Sequence, residues 1–254
     1  MVFDFSGKVA VISGAASGMG LVFSKRFVES GGRIVRSDIN KQTLDKAVDE
    51  VNSIREGAAY GMVCDVRKYD EVKAIVDFAV KKFGRVDITI PFAGGAETRM
   101  LGVTEPNFEK IPIEVFDWSI DVNLRSQLYF DHAVFGIMKE QRSGVLIHIG
   151  SVTGAEGGPN VPGYSASKSG AMNGLTVSMA QLGAKYNIRC VCVSPGPVMT
   201  RASMANMKTL LGRAASPEEV VNAILYYASE DGSFYTGINV LIDGGRHIMW
   251  DRNI

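Results

Sequence analysis

The stretch KVAVISGAASGMGLVFSKRF, residues 8–27, constrains the fold more than any other part of the chain. An apolar strand runs into a turn carrying Ser13, Gly14, Gly18 and Gly20, and an amphipathic helix follows. The spacing is G-x-x-x-G-x-G rather than the commoner G-x-G-x-x-G, but the physics is shared. Glycines let the backbone turn tightly and approach a pyrophosphate resting on the helix N-terminus. An isolated match is equally well explained as an ordinary strand-to-helix turn. Here a second strand, GGRIVRSD, follows and ends in Asp38. An acidic residue beyond the glycines bonds the adenosine ribose hydroxyls in dinucleotide sites. Asp38 lies somewhat further along than usual, as a longer first helix allows.

The same alternation continues to the end of the chain. Strand-like runs are KVAVIS, RIVRSD, AAYGMVCD, VDITIPFAG, GVLIHIGS, IRCVCVSPG and INVLIDGG, with helical patterns near 18–30, 41–55, 68–83, 113–139, 163–185 and 216–229. Short apolar strands separated by helices predict an α/β fold, a doubly wound parallel sheet of about seven strands covered on both faces. No linker, repeat or low-complexity stretch divides it, so residues 1–254 read as one dinucleotide-binding and catalytic domain. Segments 94–111 and 197–215 fit neither pattern. Both follow strand ends, where loops form the ligand crevice in such folds.

Composition excludes several function classes. Twenty-seven basic and 27 acidic residues balance, and no basic patch recommends nucleic acid. The N-terminus MVFDFSGK has neither a charged n-region nor an apolar h-region, and no apolar run approaches the ~18 residues that span a bilayer. Cys64, Cys190 and Cys192 read as buried thiols in a reducing cytoplasm rather than a disulfide framework. His132, His148 and His247 have no metal-site spacing, so no metal is expected.

Tyr164 and Lys168 carry the chemistry. Spacing i, i+4 puts both on one helix face, and an ammonium beside a phenol favours the phenolate, making an acid/base near neutral pH. Tyr69 and Lys73 share that spacing within the charged run RKYDEVKAIVDFAVKKF. Context separates the pairs. Thirteen residues before Tyr164 is Ser151, at the tip of the strand GVLIHIGS; thirteen before Tyr69 is Glu56, with no strand leading into it. A hydroxyl at a strand tip followed by a Tyr/Lys pair is an arrangement for moving a proton on and off a carbonyl oxygen.

SGAASGMG at 13–20, Asn123 in DVNLRS, Ser151, YSASK at 164–168 and PGPVMT at 195–200 resemble, in order and spacing, the short-chain dehydrogenase/reductases. The resemblance runs from Phe5 to the DGG at 243–245. It implies an NAD(P)-dependent alcohol dehydrogenase or reductase with Tyr164 as general acid/base. Lys168 would lower the phenol's pKa and hold the nicotinamide ribose. Ser151 would orient the substrate oxygen, and Asn123 would hold a water linking Lys168 to solvent. It further implies cofactor contacts from Gly14, Ser17, Gly18, Met19, Gly20 and Asp38, then from Cys64, Asp65 and Val66, with Asp65 bonding the adenine amino group. Ala93, Gly94, Pro195, Gly196, Val198 and Thr200 would also contact the cofactor, with Thr200 at the carboxamide.

Two positions depart from the family pattern. Pro91-Phe92-Ala93-Gly94 stands where N-N-A-G is usual, which puts Phe92 in doubt as a cofactor contact. His148 stands where Asn is commoner, and reads as a buried, satisfied histidine. Cofactor choice follows from charge: a 2′-phosphate is repelled by Asp38, and Ser17 is not basic, so NAD is expected over NADP. Arg33 and Arg36 lie nearby, and Arg36 shares Asp38's side of an ideal strand, which leaves dual use open.

The substrate is expected to be a small alcohol or ketone, first a polyol, sugar or hydroxy acid, with a hydroxysteroid or other apolar secondary alcohol second. Arg99 and Arg201 are candidate contacts for an anion or for many hydroxyls. The contending readings are an NADPH-dependent 3-oxoacyl or carbonyl reductase, against which Asp38 and Ser17 count, and a non-enzymatic dinucleotide sensor. The small residues on the helix from Tyr164 suggest a homo-oligomer, and the resemblance implies a dimer or tetramer. The tail GRHIMWDRNI carries Trp250 and is expected to dock, on its own subunit or across an oligomer interface.

Overall fold

A computed structural model describes residues 3–250. Its seven strands are β1 (Val9–Ser13), β2 (Arg33–Asp38), β3 (Ala59–Val63), β4 (Ile88–Pro91), β5 (Gly144–Ile149), β6 (Ile188–Pro195) and β7 (Ile238–Ile242). They form one parallel sheet in the order β3-β2-β1-β4-β5-β6-β7. The helices are α1 (Gly18–Glu29), α2 (Lys41–Asn52), α3 (Tyr69–Phe83), α4 (Glu97–Leu101), α5 (Ile113–Ile120), α6 (Ser126–Gln141), α7 (Val152–Glu156), α8 (Pro162–Gly170), α9 (Thr176–Gly183) and α10 (Pro217–Ala228).

Strand side chains alternate between two apolar layers, as a period of two requires. Ala10, Ile12, Ile34, Ile147 and Val191 pack with Phe23 and Phe27 of α1 and Ile224 of α10. Val11, Val35, Leu146 and Cys190 face the other way, against Ile75 of α3, Phe130 of α6 and Met179 of α9. Both faces are therefore covered, and the strands read as continuous apolar runs. Local chemistry sets the helix ends. Asn40 caps α2 through Thr43 N–H at 3.1 Å, and α3 stops at Gly84 with φ +78°. Ser216 and Glu219 form a reciprocal capping box at the start of α10; the two N-terminal caps satisfy otherwise orphaned N–H groups, and Gly84 N–H satisfies the Val80 carbonyl.

Two of the long helical patterns are interrupted by π turns. Asp121–Arg125 lies between α5 and α6, and Ala171–Leu175 between α8 and α9. Such turns concentrate at functional sites; the first contains Asn123 and the second begins three residues after Lys168. Of the two unassigned segments, 94–111 contains α4 and a 3₁₀ turn at Phe108–Lys110, and 197–215 a 3₁₀ turn at Ala202–Asn206. Among the described residues, no helix is long and apolar enough to cross a membrane.

The tail divides. Arg246 bonds Glu156 Oε1 and the Lys208 carbonyl, both at 3.0 Å, and His247 bonds Asp243 at 2.7 Å. Ile248 and Trp250 are exposed, so the tryptophan expected to dock does not do so on its own subunit. The anchor is the Arg246–His247 pair before it. Residues 251–254 of the expected tail lie outside the described residues.

Candidate active site

Strand order changes direction between β1 and β4, and in open α/β sheets the ligand crevice lies beyond the carboxyl ends of such a pair. The glycine turn follows β1, and Phe92-Ala93-Gly94-Gly95 follows β4. Gly14 has φ +62°, and a Cβ there would sit 2.6 Å from Ala93 N. The two turns pack backbone to backbone, and only glycine permits it. A Cβ on Gly20 would meet Gly14 O at 2.5 Å, so the helix starts hard against the turn. Ser17, the α1 N-cap, makes no side-chain capping bond. Gly18 faces Thr200, whose Cγ2 would lie 3.3 Å from a Cβ there. This bare, glycine-lined helix start suits a pyrophosphate.

Asp38 closes β2 beside this turn. Its Oδ2 accepts from Ala16 N–H at 3.1 Å and Oδ1 from Asn40 N–H at 3.2 Å. Arg36 does not join it at the surface. It is wholly buried, donating to the carbonyls of Ala15 and Ala47. Burial brings its guanidinium down to about 10, opposed by Glu50 and Asp38. Arg36 therefore braces the glycine turn from beneath rather than standing beside Asp38 at the surface. Arg33 is exposed, with its guanidinium 5.7 Å from the centre of the Phe83 ring.

Cys64 and Asp65 follow β3, with Cys64 N–H donating to Asp38 O at 3.1 Å. Burial, with Glu71 and Asp65 adding, pushes the Cys64 thiol up to about 12, so it is inert. The Asp65 carboxylate is held by Arg67 at 2.6–3.1 Å, whose hydrogen bonds keep it below the usual range. Val66 is buried. Phe92 turns its ring back onto Phe23, centroids 5.9 Å apart, so only its backbone faces the crevice. Ala93 N–H reaches Ser13 Oγ at 3.3 Å.

The chemical groups converge beyond β5. Ser151, buried, caps α7 through Thr153 N–H at 3.2 Å. Lys168, also buried, donates to Ile149 O at 2.8 Å and lies 5.6 Å from the Tyr164 ring centre. A Cβ on Gly94 would lie 2.6 Å from Asn123 Oδ1 and 3.6 Å from Lys168 Nζ, so these three residues meet. Burial pulls the Lys168 ammonium down to about 8, with Cys192 opposing. The phenol does not follow expectation. Burial raises Tyr164 above 10, Glu97 adds to this, and the Ser151 hydrogen bond and Arg201 oppose it without prevailing. Helical spacing supplied the ammonium but not the desolvation, which is the larger effect here.

Asn123 is wholly buried. Its Oδ1 accepts from Gly95 N–H at 3.0 Å, and Nδ2 donates to Gly95 O at 2.7 Å and Ser119 O at 2.8 Å. Its carbonyl accepts from Gln127 Nε2 at 2.7 Å. Asn123 thus fixes the turn after β4 as well as standing beside Lys168. On the far wall, Pro195 ends β6, Gly196 packs on Asp243, and buried Val198 bridges to Ala215. Thr200 bonds the Val198 carbonyl.

Sequence reasoning missed three groups. Glu97 reaches Tyr164 across 67 positions. Gln127 bonds Asn123 O and both backbone groups of Ile149. Asp131, His148 and Thr176 form a buried chain at 2.9 and 2.8 Å. Burial alone would lower His148, but Asp131 and Cys190 hold it well above its ordinary value. His148 was expected to be satisfied; that its partner is a buried aspartate from α6 had no local signal. No metal-ligating cluster occurs among the described residues.

The model of the short chain dehydrogenase family matches residues 8–210. The chain is 31% identical to 7alpha-hydroxysteroid dehydrogenase of Bacteroides fragilis, covering 95% of each chain. It is 34% identical to a 3-oxoacyl-acyl-carrier-protein reductase of Thermotoga maritima, over 94% of this chain and 97% of that one. The crystal structure of levodione reductase superposes with a TM-score of 0.87 at 25% identity, over 97% of this chain and 100% of that one. The chain belongs to the short-chain dehydrogenase/reductase family, whose members are oxidoreductases of alcohols and ketones that use nicotinamide dinucleotides.

Proposed function

We propose that this chain is an NAD-preferring dehydrogenase interconverting a secondary alcohol and a ketone, with Tyr164 as general acid/base. The observation that carries the reading is the meeting of Ser151, Tyr164 and Lys168 at the end of β5, opposite the glycine turn. The glycine cradle, Asp38 and the backbone of residues 92–95 would hold the dinucleotide, which when bound supplies or accepts the hydride. The proton is left to this chain. Ser151 Oγ orients the substrate oxygen and Tyr164 gives or takes its proton. A phenol raised by burial is ready to donate, which suits carbonyl reduction. Oxidation needs the phenolate, which Arg201 and Lys168, the latter 5.6 Å from the ring centre, would stabilise.

NAD preference rests on Asp38 at the end of β2 and on the enclosure of Arg36, which takes away the nearest cation for a 2′-phosphate. Asp38→Ala should shift the ratio of NAD to NADP efficiency by about tenfold, equivalent to about 1.4 kcal/mol. A wild type that prefers NADP would remove Asp38 from this role.

For substrate, the apolar alternative overtakes the polyol. Met100, Val103 and Phe108 on one loop and Met199, Leu210 and Leu211 on the other are exposed. A hollow of about 540 Å³ beside the second loop is lined by Met207, Leu210, Met249 and Trp250. It contains none of the catalytic groups, so the apolar side chains of the two loops, rather than this hollow, carry the substrate reading. This favours a bulky apolar secondary alcohol, as the name of the Bacteroides relative suggests. Turnover of an alicyclic alcohol at least tenfold more efficient than of sorbitol, followed by NADH absorbance, is the expected result. The reverse order returns the substrate to the polyols. We also read the chain as a homo-oligomer, supported by exposed Leu128, Val177 and Leu182 on α6 and α9; a monomer in sedimentation at micromolar concentration would count against it.

A further inference from the structure

Glu97 is the first residue of α4, in the loop that walls the crevice, and it is wholly enclosed. A buried carboxylate is costly unless bonded. Its Oε1 accepts from Tyr164 N–H at 2.9 Å. Its Oε2 is buried with no hydrogen-bond partner among the described residues.

The reason lies in the start of α8. Its N-cap is Val161, which has no side-chain acceptor, and Pro162 follows as the first helical residue. Ser165 is the first residue whose N–H reaches back to a carbonyl of this turn, Val161 O at 2.9 Å. Tyr164 N–H therefore needs an acceptor from elsewhere. Gly163 makes room for one: a Cβ there would lie 2.5 Å from Glu97 Oε1. A helix N-terminus also favours a negative charge. The catalytic helix is thus capped by a carboxylate from the substrate loop, on the residue that carries the reacting phenol.

We infer that Glu97 is a positioning residue, the remote N-cap of the catalytic helix, tying the conformation of the substrate loop to the placement of Tyr164. The inference rests on Tyr164 being the acid/base. The placement of α4 and the alignment of the phenol are thereby set by one contact. The charged groups acting on Tyr164 are Glu97 from α4, Arg201 from segment 197–215 and Lys168 from its own helix.

Three variants of the full chain test this. Glu97→Gln keeps shape and acceptor but not charge. It should hold kcat within about threefold of wild type while moving the midpoint of the oxidation pH profile downward, because Glu97 raises Tyr164. Glu97→Ala removes the cap, and Gly163→Ala displaces it; both should lower kcat at least tenfold with NADH affinity unchanged. Amide exchange of the peptide containing Tyr164, measured without substrate, should quicken in the Ala variants and not in Glu97→Gln. Wild-type exchange and wild-type kcat in Glu97→Ala would overturn the inference. So would equal losses in all three variants with an unmoved pH profile, which would make Glu97 merely structural. If wild type turns over no alcohol yet exchange quickens as expected, the functional reading fails while the cap stands.

Discussion

Tyr69 and Tyr164 each precede a lysine by four residues on a helix, and the two pairs have opposite fates. On α3, Tyr69 bonds exposed His132 at 2.7 Å, and Lys73, exposed, pairs with Asp77 at 2.5 Å. That pairing raises the Lys73 ammonium above its ordinary value. On α8, Lys168 is buried without a carboxylate partner, bonds a carbonyl, and is brought down to about 8. The same spacing yields a solvated ion pair in one place and, in the other, a buried pair that we propose handles the proton. What differs is where the helix begins. α3 starts at a surface turn; α8 starts beside the end of β5 at the sheet's crevice. Chemistry follows from desolvation and converging partners, for which spacing is only a precondition.

The comparison breaks most sharply at the phenol. Tyr164→Phe should lower kcat by about 10²–10⁴-fold, the usual contribution of a general acid/base, with NADH affinity within about twofold. Activity near wild type would take Tyr164 out of the mechanism.

The lysines come next. Lys168→Ala should cost about 10²-fold in kcat/KM, equivalent to about 2.7 kcal/mol, and should weaken dinucleotide binding measured by fluorescence. Lys73→Ala removes one exposed, solvent-screened pair and should leave turnover and the melting temperature essentially unchanged. Equal kinetic effects would mean that the contrast between the helices is illusory.

The histidines beside the two regions give a smaller contrast, read in stability. His132 is exposed on Tyr69. His148 lies beneath Ile149, whose carbonyl anchors Lys168, and bonds buried Asp131. Its folded-state pKa is raised above the unfolded value of about 6.5. Its contribution is therefore complete below that value and is lost as pH rises through the folded one. His148→Asn should destabilise by about 1–3 kcal/mol at pH 6, and the deficit should shrink as pH climbs above about 6.5. Urea melts at several pH values would read this; a deficit constant with pH would mean that folding leaves the imidazole's pKa unchanged, and one that grows as pH rises through about 6.5 would mean that the imidazole is neutral in the fold.

The smallest effect is expected of Tyr69→Phe. It should leave kcat within about twofold and cost at most about 1 kcal/mol in a thermal melt, the worth of one hydrogen bond.

Much of this was legible. The apolar runs marked every strand because both faces of the sheet are covered, and Gly14 and Gly20 announced a turn that no Cβ fits. Ser151, Tyr164 and Lys168 were legible because one strand tip and one short helix carry them. What was hidden required the third dimension. Glu97 reads as a solvated loop glutamate until Gly163 opens a seat for it. Arg36 shares a strand side with Asp38, yet that side leads beneath the glycine turn. Asp131, His148 and Thr176 come from three elements, and none is unusual alone. The raised phenol escaped because proximity to a cation can be counted from sequence and burial cannot.

The π turn at Asp121–Arg125 also governs how this chain can change in length. Val115 and Met138 both face the interior, although 23 positions separate them. At about 100° per residue, an unbroken α-helix would set them about 140° apart around the axis. Absorbing one residue in the wider turn brings them within about 40°. The turn is a slack link that keeps two inward faces in phase across an odd residue. A deletion within 121–125 would leave both faces aimed inward and disturb chiefly Asn123. A deletion one or two turns further on would swing the rest of α6 out of the core. A one-residue deletion elsewhere along α6 should therefore cost more stability than one within 121–125, whose cost falls on Asn123 and the turn after β4 that it holds.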